Sequence, residues 1–365
     1  MTRRKGVAQI SAPHQPASSK ESVRSLPIEL WPKADRIAWI AACEPSQRLR
    51  RGGAGSHLKA ITQHDLARRY GYFLDFMSRS GLLDPDKPAG GHVTTVNVAN
   101  YLAELKSRVA SVTVYGSIYK LRRACELIDA SRDLSWLVEI ENDLALVMRP
   151  RFKSDRWVMT EVLVEAGLTL ITEAERAQAA SKRDQARRIR NGLMLAMLAV
   201  HPIRLKNFAH LQIGRNFLEV NGSWWIVLPA SETKEGRSDE RRIDDVLKPA
   251  LDRYLRKYRK CLIRAEGSTA ALWLSSNDGS PLTYSAVARV ITETTLETVG
   301  VPISPHLFRT AAASSAAIHG GSQPHLASAL LHHTDHSVTE AHYNRASNLT
   351  AAKSFQAIVQ GYMNW

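Results

Sequence analysis

The chain is poor in cysteine and has no long apolar run. Its three cysteines, Cys43, Cys125 and Cys261, lie far apart and form no C-x-x-C pair. This argues against a disulfide framework or a zinc-cysteine site and favours a reducing cytosol. The apolar stretch from Leu193 to Val200 is much shorter than the ~20 residues that span a membrane, and no apolar segment follows the basic N-terminus. We therefore predict a cytoplasmic protein without membrane association.

Nucleotide-binding and metal-binding motifs are also missing. Neither G-x-x-x-x-G-K-[ST] nor G-x-G-x-x-G occurs, so nothing in the sequence indicates ATP or NAD. No acidic cluster of the kind that holds Mg²⁺ stands out. His332-His333-x-x-His336 lacks the glutamate of an H-E-x-x-H zinc motif, and no cysteine is near it. We predict no cofactor and no metal.

Acidic residues are outnumbered by basic ones. The chain carries 49 Lys and Arg against 35 Asp and Glu, a formal net charge of +14. Such an excess favours a polyanion, because each phosphate neutralised by Lys or Arg releases condensed counterions. Charge alone leaves open whether the partner is nucleic acid or whether the charge serves only solubility.

Composition and periodicity divide the 365 residues into five segments. Residues 1–27 are rich in Ser, Pro, Gln and basic residues, which predicts a disordered basic arm. Residues 28–148 show helical periodicity and predict a helical domain, followed by a basic, proline-containing linker at 149–157. A second domain covers residues 158–346, and 347–365 form a C-terminal segment. The basic faces of the first domain's helices are either solvated or lie on a DNA backbone.

The second domain combines helices with one clear hairpin. Phe217–Val220, Asn221-Gly222 and Trp224–Leu228 are typical of two strands joined by an Asn-Gly turn. A third strand is predicted to include residues 241–243. Helical patterns are predicted over 159–176, 182–200, 247–264, 284–297 and 306–319. The predicted fold is therefore mainly α, with a small antiparallel β-sheet in the second domain.

Four short stretches carry the candidate chemistry. They are His201-Pro-Ile-Arg204, Thr233-Lys234, His306-Leu-Phe-Arg309, and His332-His333 followed by Tyr343. Cleavage of a phosphodiester needs a nucleophile, charge stabilisation at the phosphoryl oxygens and a proton for the leaving oxygen. Two guanidiniums, an ammonium, imidazoles and a phenol suit that reaction without a metal.

Each member alone has a plainer interpretation. Arg204 fits a surface arginine at a helix end, Lys234 a solvated loop lysine, and Tyr343 a core residue of an amphipathic helix. His306 and Arg309 are one turn apart on a helix that follows Pro305, so they share a face near an end that favours anions. The hypothesis depends on the order and spacing of these residues and not on any one of them.

That order, Arg, Lys, His-x-x-Arg, His, Tyr, resembles the tyrosine recombinase (phage integrase) family. Leu330-Leu-His-His333 followed by Tyr343-Asn-Arg345 is similar to the integrases of genomic islands and prophages. The resemblance covers residues 158–346, while residues 28–148 fit the family's core-binding domain in length and pattern. It implies a two-domain architecture, with a helical core-binding domain and an α+β catalytic domain.

The resemblance also implies a role for each site residue. Tyr343 would attack the scissile phosphate and form a 3′-phosphotyrosyl link, while Arg204 and Arg309 stabilise charge on the phosphoryl oxygens. Lys234 would protonate the 5′-oxygen leaving group. Two histidines complete the set, one assisting proton transfer and the other hydrogen-bonding the phosphate, namely His306 and His333.

The partners implied by the resemblance are double-stranded DNA at attachment or crossover sites and further copies of the chain, as a tetramer on DNA. DNA-bending accessory proteins and a nucleoid-associated location follow from the same resemblance, and neither ATP nor metal is required. The segment 347–365 would dock on a neighbouring protomer or pack on its own domain. The expected function is site-specific recombination, of integrase or excisionase type, by a mobile element.

The sequence departs from the family at two positions near the first arginine. Asn207 stands where an acidic residue is usual, and Pro202 replaces the glycine of a Gly-x-Arg context. Two other functions stay open on the sequence alone. One is strand relaxation of the type IB topoisomerase kind, and the other is a non-catalytic DNA-binding relic.

Overall fold

The computed structural model describes most of the chain between Arg24 and His319. The described residues are 24–150, 156, 158–178, 181–234, 236–264 and 269–319. The predictions for most of the basic arm, for His333 and Tyr343, and for segment 347–365 fall outside this part. The chain divides into two compact units, Met1–Arg151 and Phe152–Trp365.

The first unit is helical throughout its described part. Its α-helices are α1 (Lys33–Ala42), α2 (Ala60–Arg79), α3 (Thr95–Arg108), α4 (Ser111–Ile128) and α5 (Ser135–Val147). The helical spacing of apolar residues in α4 predicts its buried face correctly, and Val114, Ile118, Leu121, Cys125 and Ile128 all lie in the core. The unit therefore has a hydrophobic core of its own.

Helix starts in this unit are partly predictable. Thr94 caps α3, and its side chain accepts a hydrogen bond from the Asn97 amide. The sequence Thr62-Gln-His-Asp65 is typical of a capping box and predicts a helix start at Thr62. This prediction is wrong, because α2 already begins at Ala60 and has Lys59 at its N-cap position.

The basic side chains on α4 are paired with carboxylates. Lys120 lies in salt-bridge contact with Asp65. Arg122 donates to both carboxylate oxygens of Glu141, at 2.6 and 3.0 Å. These contacts favour a structural role for both cations and weaken the expectation that this face lies on a DNA backbone.

The second unit is built around helix α7. Its described helices are α6 (Thr160–Arg176), α7 (Lys182–Val200), α8 (Leu205–Ala209), α9 (Lys248–Arg253), α10 (Arg259–Leu262), α11 (Tyr284–Val299) and α12 (Pro305–His319). Every residue from Leu193 to Ala199 is buried, so the C-terminal part of α7 is enclosed on all sides. Gly167 of α6 meets Gly192 of α7, where a Cβ on Gly167 would lie 2.6 Å from the Gly192 carbonyl oxygen. The two glycines thus permit close packing of these helices.

A three-stranded antiparallel sheet follows α8. Strands β1 (Phe217–Val220) and β2 (Ser223–Leu228) form the predicted hairpin, and β3 (Asp239–Arg242) pairs with the other edge of β2. Asn221 and Gly222 have φ of 50° and 73°, as the Asn-Gly turn requires. The third strand begins two residues and ends one residue before the range predicted from the sequence.

The helix predicted over residues 247–264 is interrupted. A π-helical turn over Tyr254–Tyr258 separates α9 from α10. Tyr254 is fully buried there, and its hydroxyl donates to the Leu272 carbonyl at 2.9 Å. Apolar periodicity marks this segment as helical without revealing the change in hydrogen-bond spacing.

The predicted fold class is confirmed: the protein is mainly helical, with one small antiparallel sheet in the second unit. Among the described helices, none is both long enough and apolar enough to cross a membrane.

Candidate active site

The stretch from His201 to Arg204 connects α7 to α8. Pro202 follows the end of α7 directly, where a residue without an amide hydrogen favours termination of the helix. His201, Pro202 and Ile203 are buried, whereas Arg204 is half-buried. Arg204 occupies the N-cap position of α8, and its carbonyl accepts from the Phe208 amide at 3.0 Å. The core therefore fixes the chain up to the residue before Arg204.

Arg309 contacts this stretch directly. Its Nη1 donates a hydrogen bond of 2.6 Å to the Pro202 carbonyl, although the two residues are 107 positions apart in the sequence. The neighbouring Phe308 is fully buried and anchors the first turn of α12. The structure thus brings the guanidinium of Arg309 to the loop that ends in Arg204, as the hypothesis of a joint site requires.

His306 begins the same helical turn as Arg309. It follows Pro305, the first residue of α12, and its side chain is exposed. A spacing of three residues places His306 and Arg309 on adjacent positions of one helix face. The arrangement expected from the H-x-x-R spacing is therefore present.

Lys234 lies in the loop between β2 and β3, and it is exposed. The preceding Thr233 is buried, and its Oγ1 lies 2.7 Å from the Arg237 carbonyl oxygen and accepts from the Arg237 amide at 3.1 Å. One threonine hydroxyl therefore closes the turn that carries Lys234. Such local side-chain to backbone bonds are a common way to fix a polar loop.

A further hydrogen bond ties the end of β3 to the His201 stretch. The Ile243 amide donates to the Trp224 carbonyl at 2.8 Å, which extends the sheet beyond β3. The next amide, that of Asp244, donates to His201 Nε2 at 3.4 Å. Two of the three described stretches, those of Arg204 and Arg309, are thus joined directly. Strands β2 and β3 form a second hairpin, whose loop carries Lys234, and this hairpin is joined to them through His201.

His201 is the residue whose importance sequence reasoning missed. The stretch His201-Pro-Ile-Arg204 includes it, but the sequence indicates no role for it, because a single histidine at a helix end carries no distinctive signal. Burial, and to a smaller extent the nearby Arg241, lower its pKa, whereas Asp244 and Asp239 raise it, and the resulting pKa is about 4. The imidazole is therefore neutral near pH 7, with Nε2 as the hydrogen-bond acceptor and the proton on Nδ1.

No cluster of three or more His, Cys, Asp or Glu side chains suited to a metal ion occurs among the described residues. His333 and Tyr343 lie outside that part of the chain, and their roles stay predictions. The same holds for the catalytic roles of the four residues whose positions are described above.

Residues 170–349 match the phage integrase family, and this range contains all six candidate residues. The crystal structure of XerH site-specific recombinase bound to difH substrate, a pre-cleavage complex, is 14% identical with a TM-score of 0.51. It covers 77% of this chain and 76% of that chain. The crystal structure of XerA recombinase is 17% identical with a TM-score of 0.36, over 82% of this chain and 94% of that chain.

No significant match was found among curated protein sequences. At its low identity, the XerH structure shows a shared fold and nothing beyond it. The family match and the order of the six residues agree, and they agree with the helical fold and its small sheet. The chain belongs to the phage integrase family and is a tyrosine site-specific recombinase.

Proposed function

We propose that this recombinase cuts and rejoins DNA through a 3′-phosphotyrosyl intermediate on Tyr343, as the integrase or excisionase of a mobile element. The hydrogen bond from Arg309 to the Pro202 carbonyl supports this most strongly. It holds the guanidinium of Arg309 against the loop that carries Arg204, the other arginine of the proposed site. Two cations held by separate elements at one place are what a reacting phosphate requires.

In the first step, the Tyr343 oxygen attacks phosphorus and displaces the 5′-oxygen of the adjacent nucleotide. One O–P bond forms, one breaks, and negative charge increases on the non-bridging oxygens. Arg204 and Arg309 stabilise that charge, since a guanidinium offers several N–H donors in a planar fork. The Pro202 carbonyl accepts a hydrogen bond from Arg309 and so orients its guanidinium.

Proton transfer accompanies the exchange of bonds. The phenol loses a proton as it attacks, and the 5′-oxygen gains one as it leaves. Lys234 is the proposed donor to the leaving oxygen, and its exposed position on a turn closed by Thr233 is compatible with reaching DNA. His306 assists proton transfer from the exposed start of α12, and His333 hydrogen-bonds the phosphate.

The covalent link conserves the energy of the broken phosphodiester bond. A 5′-hydroxyl from a partner strand then attacks the phosphotyrosine and releases Tyr343 in the reverse sequence of bond changes. Exchange between two DNA sites needs several protomers, so the proposal includes a tetramer in which residues 347–365 dock on a neighbouring copy. DNA-bending accessory proteins and association with the nucleoid are further predictions of this proposal.

The test is a covalent adduct on nicked DNA. Duplexes that bind are selected from a random-sequence pool with Tyr343→Phe protein, and a nick is then placed at successive positions so that the cleaved end diffuses away. We expect wild-type protein and a Tyr362→Phe control to give a DNA adduct on a denaturing gel. Tyr343→Phe should give none.

Other results would point to the other functions. Relaxation of supercoiled DNA without dependence on the selected sequence indicates a topoisomerase-like activity. Selective binding without an adduct from wild-type protein indicates a DNA-binding relic. An adduct of equal yield from Tyr343→Phe would contradict the assignment of the nucleophile.

A further inference from the structure

His201 is a buried polar residue to which the proposed reaction assigns no role. It is 7% exposed and occupies the C-cap position of α7, where its amide donates to the Met197 carbonyl at 2.9 Å. Its Nε2 accepts the Asp244 amide across 43 residues of sequence. A buried histidine is commonly hydrogen-bonded for stability alone, so its surroundings decide whether it does more.

Those surroundings link the candidate catalytic segments. The residue after His201 is Pro202, whose carbonyl holds Arg309, and the last residue of the stretch is Arg204. The imidazole accepts a hydrogen bond from the amide of Asp244. Asp244 directly follows Ile243, whose amide extends the pairing of β3 with β2. Strand β3 directly follows the loop that carries Lys234. His201 therefore stands where the segments of three proposed catalytic cations meet.

The hydrogen bond from the Asp244 amide requires a neutral imidazole, and burial keeps the imidazole of His201 neutral. Three charged groups act on the pKa of His201, namely Arg241, Asp244 and Asp239. A fourth charged group, Arg309, is bound to the carbonyl of the next residue, Pro202. Burial has the largest effect on its pKa and opposes protonation. Nε2 thus stays available as an acceptor at the pH at which DNA is processed.

We infer that His201 is a positioning residue that holds the Arg204 and Arg309 segments in register with the hairpin bearing Lys234. This inference rests on the proposed function and deepens it. His201 touches no reacting atom in this account. Its contribution is to keep three cations at fixed separations around the phosphate, where a displacement of about 1 Å costs on the order of 10²-fold in rate.

The substitutions His201→Leu, His201→Gln and His201→Asn separate this role from plain stability. Glutamine places an amide oxygen near the position of Nε2, asparagine falls short of it, and leucine removes the acceptor. Tyr254→Phe is a matched control, because it also deletes one buried hydrogen bond of this unit, from Tyr254 to Leu272. The readouts are the single-turnover cleavage rate and the dissociation constant on the selected nicked duplex, together with the melting temperature.

We expect His201→Leu to cleave on the order of 10²-fold more slowly with little change in DNA affinity. His201→Gln should recover most of the rate, and His201→Asn should not. If His201→Leu fails to fold, the glutamine and asparagine variants decide the question. The inference is overturned if the folded variants cleave as fast as Tyr254→Phe, or if glutamine is no better than asparagine.

A double-mutant cycle with Lys234→Ala tests the coupling to the hairpin. If His201 acts partly by placing Lys234, His201→Leu should cost less in the Lys234→Ala background than in wild type. Purely additive losses would contradict this coupling. Failure of the proposed function gives a different result, because wild-type protein would then form no adduct at all.

Discussion

The two units differ in the partners of several enclosed arginines. In the first unit, Arg79 donates to both carboxylate oxygens of Glu104, at 3.1 and 2.9 Å, and to Asp75 at 2.9 Å. Arg122 is bound in the same manner by Glu141. These carboxylates raise the pKa of both guanidinium groups. Adjacent carboxylates therefore neutralise the positive charge of each of these two arginines.

In the second unit, Arg190 and Arg259 are bound by neutral oxygens, whereas Arg241 is bound by the carboxylate of Asp239, at 2.8 and 2.9 Å. Arg190 donates to the Leu274 carbonyl and to the Asn191 side-chain amide oxygen. Arg259 donates to the Ala271 carbonyl at 2.6 Å. Burial lowers the pKa of Arg190 to about 10 and also lowers that of Arg259.

The contrast shows what each mode of binding does with charge. A carboxylate gives a stable scaffold with no net charge, whereas a carbonyl orients a guanidinium and leaves its charge in place. The bond from Arg309 to the Pro202 carbonyl follows the second mode. This bond orients the guanidinium of Arg309 beside the loop of Arg204, where a phosphate is proposed to react.

The largest effect is expected on the cleavage rate, when an arginine bound by a carbonyl is replaced by glutamine and compared with the same replacement of an arginine bound by carboxylates. Arg309→Gln should lower the single-turnover cleavage rate by about 10²- to 10³-fold, because one donor to the developing oxyanion is lost. Arg79→Gln should lower stability and leave the cleavage rate of the folded protein near that of wild type. Equal losses of cleavage rate in the two variants would remove the distinction.

The next effect concerns His201, which burial and the nearby Arg241 keep neutral. Its folded-state pKa of about 4 lies below the ordinary 6.5, so below pH 6.5 the unfolded chain binds a proton that the folded chain does not. The free energy of unfolding should therefore fall between pH 6.5 and 4, by up to about 3 kcal/mol from this group. Above pH 6.5 the group contributes no pH dependence.

Urea unfolding at several pH values measures this loss. His201→Gln serves as the reference, because the other titrating groups are common to both proteins. The wild type should lose more stability than the variant as the pH falls through this range. Parallel pH profiles for the two proteins would contradict a depressed pKa at His201.

Loss of a carboxylate from the first unit should have a smaller effect, on stability alone. Glu141→Gln leaves Arg122 without its two-point partner in a largely enclosed position, at a cost of about 2 kcal/mol. Glu139→Gln, an exposed residue of the same helix, is the matched control and should change stability by less than about 0.5 kcal/mol. Urea unfolding gives both values, and equal values would show that the pair does not support the fold.

The smallest effect is expected for an exposed ion pair of the second unit. Arg253 contacts Glu175 at 2.7 Å, with about half of the arginine side chain exposed. Solvent screens such pairs, so Arg253→Gln should alter stability by less than about 0.5 kcal/mol. Thermal unfolding would detect a larger loss, which would mean that carboxylate-bound arginines matter in this unit as well.

The sequence predicts local features of this protein well and distant contacts poorly. Helix α4 and the Asn221-Gly222 hairpin follow from spacing within one segment, and both are present. The bonds from Arg309 to Pro202 and from Asp244 to His201 span 107 and 43 residues. Since no local pattern encodes such pairs, they become visible only when the whole unit has folded.

The candidate site divides in the same way. Residue types and order were enough to assemble the six candidates, because the reaction needs a particular set of groups. Their mutual placement, and the role inferred for His201, depend on which backbone groups face each other in the core. The predicted capping box at Thr62 shows the converse case, in which a local pattern is present and the helix begins elsewhere.

The central claim is that Tyr343 becomes linked to DNA at a phosphate held by Arg204 and Arg309. The most direct measurement is mass spectrometry of the trapped adduct after digestion with trypsin and a nuclease. Cleavage after Arg309 and Arg345 gives a peptide over 310–345 that contains a single tyrosine, Tyr343. We predict a nucleotide attached to that tyrosine through a 3′-phosphate. A nucleotide on any other residue, such as Tyr362, or a complete absence of nucleotide-bearing peptides would contradict the account.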